Sequence, residues 1–101
     1  MEIVWTSKAE ISYNHNIVYW AERNGSTTYS EKIISAVEEI EKEIETNPYS
    51  GKYKERIGLY ERSILNKRFF IFYNIREELD IIEIIYFRGA KQQPLEEVLN
   101  R

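Results

Sequence analysis

The stretch RFFIFYNI, residues 68–75, decides the fold, because every side chain after the first is apolar or aromatic except one asparagine. A strand with one face in water alternates apolar and polar residues, and this run does not alternate. Both of its faces must therefore be covered by other parts of the chain. We expect it in the middle of a sheet, with Arg68 opening the strand.

Two further strand-like runs lie on either side of this stretch. Residues 58–65, GLYERSIL, precede it across a turn at residues 66–67, and residues 79–87, LDIIEIIYF, follow it. Together the three runs predict an antiparallel meander. Asp80 and Glu83 fall on opposite faces of the last run, so we expect one of them near a strand end or a sheet edge.

The N-terminal half predicts a short strand and a helix hairpin. Residues 2–6, EIVWT, are β-prone, and a helical period follows over residues 8–23, with Ser7 as its N-cap. A second helix precedes Pro48 and carries apolar residues at helical spacing, namely Tyr29, Ile33, Ala36, Val37, Ile40 and Ile44. Residues 47–55, NPYSGKYKE, predict a loop.

The order of elements predicts one α+β domain over residues 1–101. We expect an N-terminal strand and an antiparallel helix hairpin packed on a mainly antiparallel four-stranded sheet, with Pro94 opening a short last helix. The 101 residues contain no Cys, which leaves no disulfide and no thiolate metal site. No signal peptide or membrane span is recognisable, so a cytoplasmic protein without cofactor or metal is expected.

Charge is distributed unevenly along the chain, although its net value is only −3. Residues 1–50 hold four Lys or Arg and nine Asp or Glu, whereas residues 51–101 hold ten and eight. Residues 52–68 form a local basic patch, in which two glutamates face six cations: Lys52, Lys54, Arg56, Arg62, Lys67 and Arg68. Such a patch suits an acidic protein or a nucleic acid.

Four segments, in this order, carry a family resemblance: YWAERNGSTTYSEKI (19–33), TNPYSGK (46–52), RFFIFYNI (68–75) and IIEIIYFRGAKQQP (81–94). They resemble the helix hairpin, the P-x-x-G loop, the central strand, and the last strand with its basic tail in the RelE/ParE superfamily of bacterial type II toxin–antitoxin toxins. This family is also known as plasmid stabilisation proteins. The resemblance implies a growth-inhibiting toxin that its cognate antitoxin neutralises, and the assemblies it suggests are a homodimer or a heterotetramer with that antitoxin.

Two branches of this superfamily differ in chemistry. RelE-like members are mRNA interferases that cut mRNA on the ribosome, and ParE-like members poison DNA gyrase. The resemblance makes Arg62, Arg68, Arg88 and Lys91 the candidate catalytic residues. We predict that Arg62 and Arg68 face each other across the turn and hold phosphate.

The acid needed for RNA cleavage is missing from the expected place, because no Tyr or His follows Tyr86. We assign Tyr73 to the core and expect His15, the only histidine, to be solvated. We therefore favour the ParE-like branch, with a metal-independent endoribonuclease and a non-toxic antitoxin-binding module as alternatives. Some of six tyrosines are expected to line an antitoxin groove, although for any one of them a ring that caps the core with its hydroxyl in water is the favoured interpretation: Tyr13, Tyr19, Tyr29, Tyr49, Tyr53 and Tyr60.

Overall fold

The computed structural model describes residues 1–92 and 95–99, and it places the central apolar run in the middle of a five-stranded sheet. In chain order the elements are β1 (Glu2–Trp5), α1 (Ser7–Asn24), α2 (Thr28–Thr46), β2 (Lys52–Lys54), β3 (Leu59–Ile64), β4 (Phe69–Arg76), β5 (Ile81–Gly89) and α3 (Leu95–Leu99). The strand order is β1-β5-β4-β3-β2; β1 runs parallel to β5 and the other pairs are antiparallel. The predicted α+β class is confirmed.

The sheet has one strand more than the four that the sequence predicts. The strand β2 lies inside the predicted loop, where Tyr53 pairs with Tyr60 of β3. A segment of three residues is too short to show the two-residue period of a strand, so the sequence of β2 does not predict its pairing with β3. The predicted last helix is present as α3, whereas Pro94 lies outside the described residues.

Both long helices begin and end at local signals. The N-cap of α1 is Thr6, whose hydroxyl accepts a hydrogen bond from the Ala9 amide at 3.2 Å, so the predicted cap at Ser7 is wrong by one residue. Gly25 ends α1 with a φ of 62°, a left-handed conformation that glycine adopts without strain. Asn47 caps the C-terminus of α2 directly before Pro48, as predicted. No helix in the described part of the chain is long and apolar enough to cross a membrane.

The central strand β4 is covered on both faces. Phe69, Ile71 and Tyr73 are buried against the two long helices. Phe72 points to the other face, where it packs in a smaller cluster with Leu59 and the buried Leu95 of α3. This two-sided burial explains why the sequence of β4 does not alternate.

A register shift in β5 keeps its large side chains on the helix side. Phe72 pairs with Tyr86 but Tyr73 pairs with Ile84, which leaves Ile85 as an extra residue. Because of this bulge, Ile84 and Phe87 both join the main core although they are three residues apart. The pattern of apolar residues in the sequence does not reveal this bulge.

The two acidic residues of the last strand-like run, Asp80 and Glu83, lie in different positions relative to β5. Asp80 has a φ of 55° and caps the 3-10 turn Glu77–Leu79, so it lies just before β5 and outside the sheet. Glu83 lies within β5 and pairs with Arg76 at 3.3 Å. One of the two acids therefore occupies a strand end, as predicted.

The hydroxyl of Tyr73 ties the turn after α2 to the central strand. It donates a hydrogen bond to the Pro48 carbonyl at 2.6 Å and accepts one from the Gly51 amide at 3.1 Å. A Cβ at Gly51 would lie 2.7 Å from this hydroxyl, so only glycine leaves room for the contact. Tyr73 is in the core, as the sequence predicts, and burial raises the pKa of its hydroxyl.

We expect Tyr73→Phe to lower the free energy of unfolding by about 1–3 kcal/mol, because it leaves the partly buried Pro48 carbonyl and Gly51 amide without their partner. Urea denaturation at pH 7 measures the loss. Tyr19→Phe is the matched control: this ring is 45% exposed, and a change within about 0.5 kcal/mol is expected. Equal effects of the two substitutions would contradict the role of the Tyr73 hydroxyl.

The same hydroxyl predicts a loss of stability in alkali. Its pKa is higher in the folded chain than in the unfolded chain, so the stabilisation is complete below the unfolded pKa of about 10 and is lost as pH rises through the folded pKa. We expect the difference in unfolding free energy between the wild type and Tyr73→Phe to shrink above about pH 10. A difference that stays constant to pH 11.5, roughly the limit of such measurements, would contradict this.

Candidate functional site

A cavity of about 720 Å³ opens between α1 and the two chain segments that flank the start of β4 and the end of β5. We call it the basic cavity. It is lined from α1 by Ser12, His15, Asn16, Tyr19, Trp20 and Arg23, from α2 by Tyr29, and from the sheet side by Arg68, Phe69, Gly89, Ala90, Lys91 and Gln92.

The wall formed by α1 follows from helical spacing. His15, Tyr19 and Arg23 are separated by four residues each, which places them above one another on a single face. The rings of His15 and Tyr19 stack with centroids 6.4 Å apart. This face combines an imidazole, a phenol and a guanidinium along one side of the cavity.

The floor of the cavity is aromatic and continuous with the core. Trp20 contacts Tyr29 edge to face with centroids 5.1 Å apart, and Tyr29 lies 6.3 Å from the buried ring of Phe69. The hydroxyl of Ser30 donates to the Ile17 carbonyl at 2.6 Å and holds α2 against α1. The floor is therefore rigid enough to present the polar rim in a fixed arrangement.

Backbone hydrogen bonds position the two cations on the sheet side. Arg68 lies in the turn before β4, and its amide donates to the carbonyls of Ile64 and Leu65, each at 3.2 Å. The Ala90 amide donates to the Arg68 carbonyl at 2.8 Å. This bond brings Lys91, the residue after Ala90, next to Arg68.

The turn that carries Arg68 is unusual in its backbone. Leu65, Asn66 and Lys67 have φ values of 49°, 61° and 64°, so three successive residues other than glycine are left-handed. Asn tolerates this conformation, whereas a leucine or lysine there costs about 1–2 kcal/mol. The observed turn is therefore longer than the predicted turn at residues 66–67. Arg68 belongs to this turn, so the prediction that it opens the strand is wrong.

Three exposed cations give the cavity its charge: Arg23, Arg68 and Lys91. None of the described residues that line it is acidic, and none of the three takes part in an ion pair within the described ranges. Cations that converge on one concave surface create a positive local potential even in a chain of net charge −3. The cavity is suited to an anionic group.

Arg62 lies elsewhere, so the prediction that it faces Arg68 is wrong. Its cross-strand partner is Ile71, and its guanidinium binds Glu43 at 2.6 Å and the Ser50 hydroxyl at 2.8 Å. Glu43 is near the end of α2, whereas Arg68 shares the basic cavity with Tyr29 near its beginning. Fourteen helical residues, about 21 Å, separate these two positions on α2.

The basic patch of residues 52–68 is divided in the same way. Lys54 binds Glu96 at 3.2 Å and Glu61 at 3.9 Å, which partly neutralises this end of the patch. Arg88 pairs in register with Phe70, on the sheet face opposite the long helices. Of the four candidate residues, the structure thus brings only Arg68 and Lys91 together.

Sequence reasoning missed the contribution of α1 to this site. His15 is exposed, as expected, but it faces the same cavity as Arg68 and Lys91, and Arg23 was not considered. The available signal was the four-residue spacing of His15, Tyr19 and Arg23 beside the apolar stripe. No cluster of three or more His, Cys, Asp or Glu within the described ranges is placed to hold a metal ion.

Comparison with known protein families gives a match over most of the chain. A family model described as the ParE toxin of type II toxin-antitoxin system, parDE, matches residues 3–94. A search of curated proteins finds no significant match. The matched range contains residues 3–5 of β1, the other four strands, both long helices and every described residue of the basic cavity.

We expect the contact between Arg62 and Glu43 to be a modest structural interaction. Arg62→Gln and Glu43→Gln, measured singly and together by urea denaturation, should give a coupling energy of about 0.2–1 kcal/mol, because both side chains are partly solvated. Lys32→Gln, an exposed cation on the same helix, sets the scale for losing one charge. Strictly additive effects of the two substitutions would show that the ion pair contributes nothing.

Proposed function

The chain belongs to the ParE toxin family of type II toxin–antitoxin systems, and on this basis we propose that it inhibits growth by binding DNA gyrase, without cutting RNA. Membership in a type II system implies an antitoxin partner. The proposal adds the target and the mode of action. It assigns the basic cavity to the contact with that target.

The observation that carries the proposal is the lack, within the described residues, of a hydrogen bond that orients the imidazole in the basic cavity. RNA cleavage by 2′-OH attack needs a base for the hydroxyl proton and an acid for the leaving oxygen. His15 is the only imidazole of the chain, and in the described ranges no hydrogen bond orients it. A catalytic base is normally held by a third group. Cations on an aromatic floor, without that group, favour binding over chemistry.

A RelE-like endoribonuclease is the second candidate, and one observation favours it. The cavity places His15 together with Arg68 and Lys91, which supplies an imidazole to a site that the tail of the sequence leaves without an acid. An imidazole with two cations supplies one proton-transfer group and two phosphate ligands for metal-independent phosphodiester cleavage. In this alternative Arg68 and Lys91 hold the phosphate, while Arg62 and Arg88 lie outside the cavity.

Induced expression of the lone chain separates these functions. We expect growth arrest with gyrase cleavage complexes accumulating on DNA and with a reporter mRNA that stays intact in primer extension. Codon-phased cuts in that mRNA would overturn the proposal in favour of the endoribonuclease. Normal growth at a confirmed protein level would instead identify a non-toxic antitoxin-binding module.

Substitutions in the basic cavity test its role. Arg68→Ala combined with Lys91→Ala should weaken gyrase binding and poisoning by roughly tenfold, because two exposed charge contacts contribute up to about 1 kcal/mol each. Lys32→Ala with Arg56→Ala removes the same charge from exposed positions outside the cavity and should change little. Equal effects of both pairs would show that only net charge matters.

His15→Gln distinguishes binding from catalysis. The exposed ring contributes one edge of the cavity, so under the proposal poisoning falls by no more than about fivefold. Under the endoribonuclease alternative the same substitution removes the acid or base, and cleavage should fall by about 100-fold or more. Primer extension and the gyrase supercoiling assay on one preparation measure both effects.

A further inference from the structure

A second cavity, of about 310 Å³, lies at the opposite end of the central strand. Its lining includes Tyr49, Tyr53, Tyr60, Asn74, Glu77 and Glu78, and we call it the tyrosine cavity. The basic cavity contains Phe69 at the start of β4, whereas this one contains Asn74 near its end, five residues or about 17 Å further along. The two cavities therefore present separate surfaces.

Three tyrosine rings form one wall of this cavity. Tyr60 contacts Tyr53 with centroids 5.0 Å apart and Tyr49 edge to face at 5.8 Å. Tyr60 also stacks on the buried Tyr73 at 5.5 Å, which anchors the wall to the core. Tyr49 and Tyr53 are nevertheless 53% and 51% exposed, so much of their aromatic surface remains in contact with water.

Two carboxylates face this wall from the 3-10 turn Glu77–Leu79. The Tyr49 hydroxyl donates to Glu77, and this hydrogen bond raises the pKa of Tyr49, which keeps the phenol neutral. Glu78 binds Arg76 at 2.6 Å, whereas Glu77 has no ion-pair partner within the described ranges. No described lining residue is a lysine or an arginine.

We propose that the tyrosine cavity binds an arginine side chain from a basic segment of a partner protein. The face of a tyrosine ring carries partial negative charge and attracts a cation that lies over it. A guanidinium is planar and weakly hydrated, so it stacks on a ring while its N–H groups bind a carboxylate. Glu77 supplies that carboxylate.

The tyrosine cavity carries carboxylates, whereas the basic cavity of the proposed function carries cations. The proposal for the tyrosine cavity therefore does not depend on the proposed function. The basic cavity attracts anionic groups and the tyrosine cavity attracts a cation. A partner that occupies both needs acidic and basic groups on separate segments. The two cavities share no described lining residue and lie at opposite ends of β4.

Titration of the full chain with acetyl-Gly-Arg-Gly-amide, followed by the shifts of backbone amide NMR signals, tests the proposal. We expect shifts concentrated at residues 49–60 and 74–78 and a dissociation constant in the millimolar range, as suits one side chain. The citrulline peptide keeps the shape but lacks the charge and should bind at least about fivefold more weakly. The lysine peptide should fall between them.

Two pairs of variants locate the binding. Glu77→Gln retains an acceptor for Tyr49 but loses the charge, and Tyr53→Leu removes a ring while keeping an apolar side chain; each should weaken arginine binding by about three- to fivefold. Glu39→Gln and Tyr19→Leu make the same changes at exposed positions outside this cavity and should not weaken it. If Tyr53→Leu lowers the melting temperature, its weaker binding reflects a less stable fold. The test of the proposal then rests on Glu77→Gln alone.

Three results would overturn the proposal. Equal binding of the citrulline peptide would exclude recognition of the charge. An equal loss in Glu39→Gln would show that the peptide responds only to net charge. The absence of shifts at residues 49–60 and 74–78 up to about 20 mM peptide would show that the cavity does not bind arginine.

Discussion

The burial of β4 on both faces is the constraint on which the rest of the structure depends. A strand with apolar side chains on both sides is stable only between two covering layers. Burial of those side chains stabilises the fold by about 25 cal/mol for each Å² of apolar surface removed from water. The long helices cover one face through Ala9 of α1 and through Ile33 and Ile44 of α2. The opposite face is covered by the smaller cluster around Phe72, to which α3 contributes Leu95. The short last helix is therefore part of the core arrangement.

The two ends of the same strand position the two cavities. At its start, the turn with three left-handed residues and the bond from the Ala90 amide hold Arg68 beside Lys91. At its other end, the strand reaches the turn that carries Glu77 and the wall of tyrosines. A chain with a net charge of −3 thus separates a basic surface from an acidic aromatic one. This separation allows one small domain to contact partners of opposite charge.

The candidate site was only partly predictable from the sequence. Arg68 and Lys91 became candidates because their segments resemble the central strand and the basic tail of the RelE/ParE superfamily. Arg62 was a candidate from the same resemblance, yet side chains on neighbouring strands meet according to register, and its partners are Ile71 and Glu43. The contribution of His15 and Arg23 depends on how α1 packs over the sheet, a contact between residues more than forty positions apart.

The sequence by itself determined the helices, four of the five strands, their order and the two-sided burial of the central strand. These features follow from local periodicity, caps and turn residues, which act over a few neighbouring positions. Only the tertiary structure decided the fifth strand, the bulge at Ile85, the ion pair of Arg62 and the grouping of charges into two cavities. Those depend on register and packing between distant segments, and a linear pattern carries no information about which distant side chains come into contact.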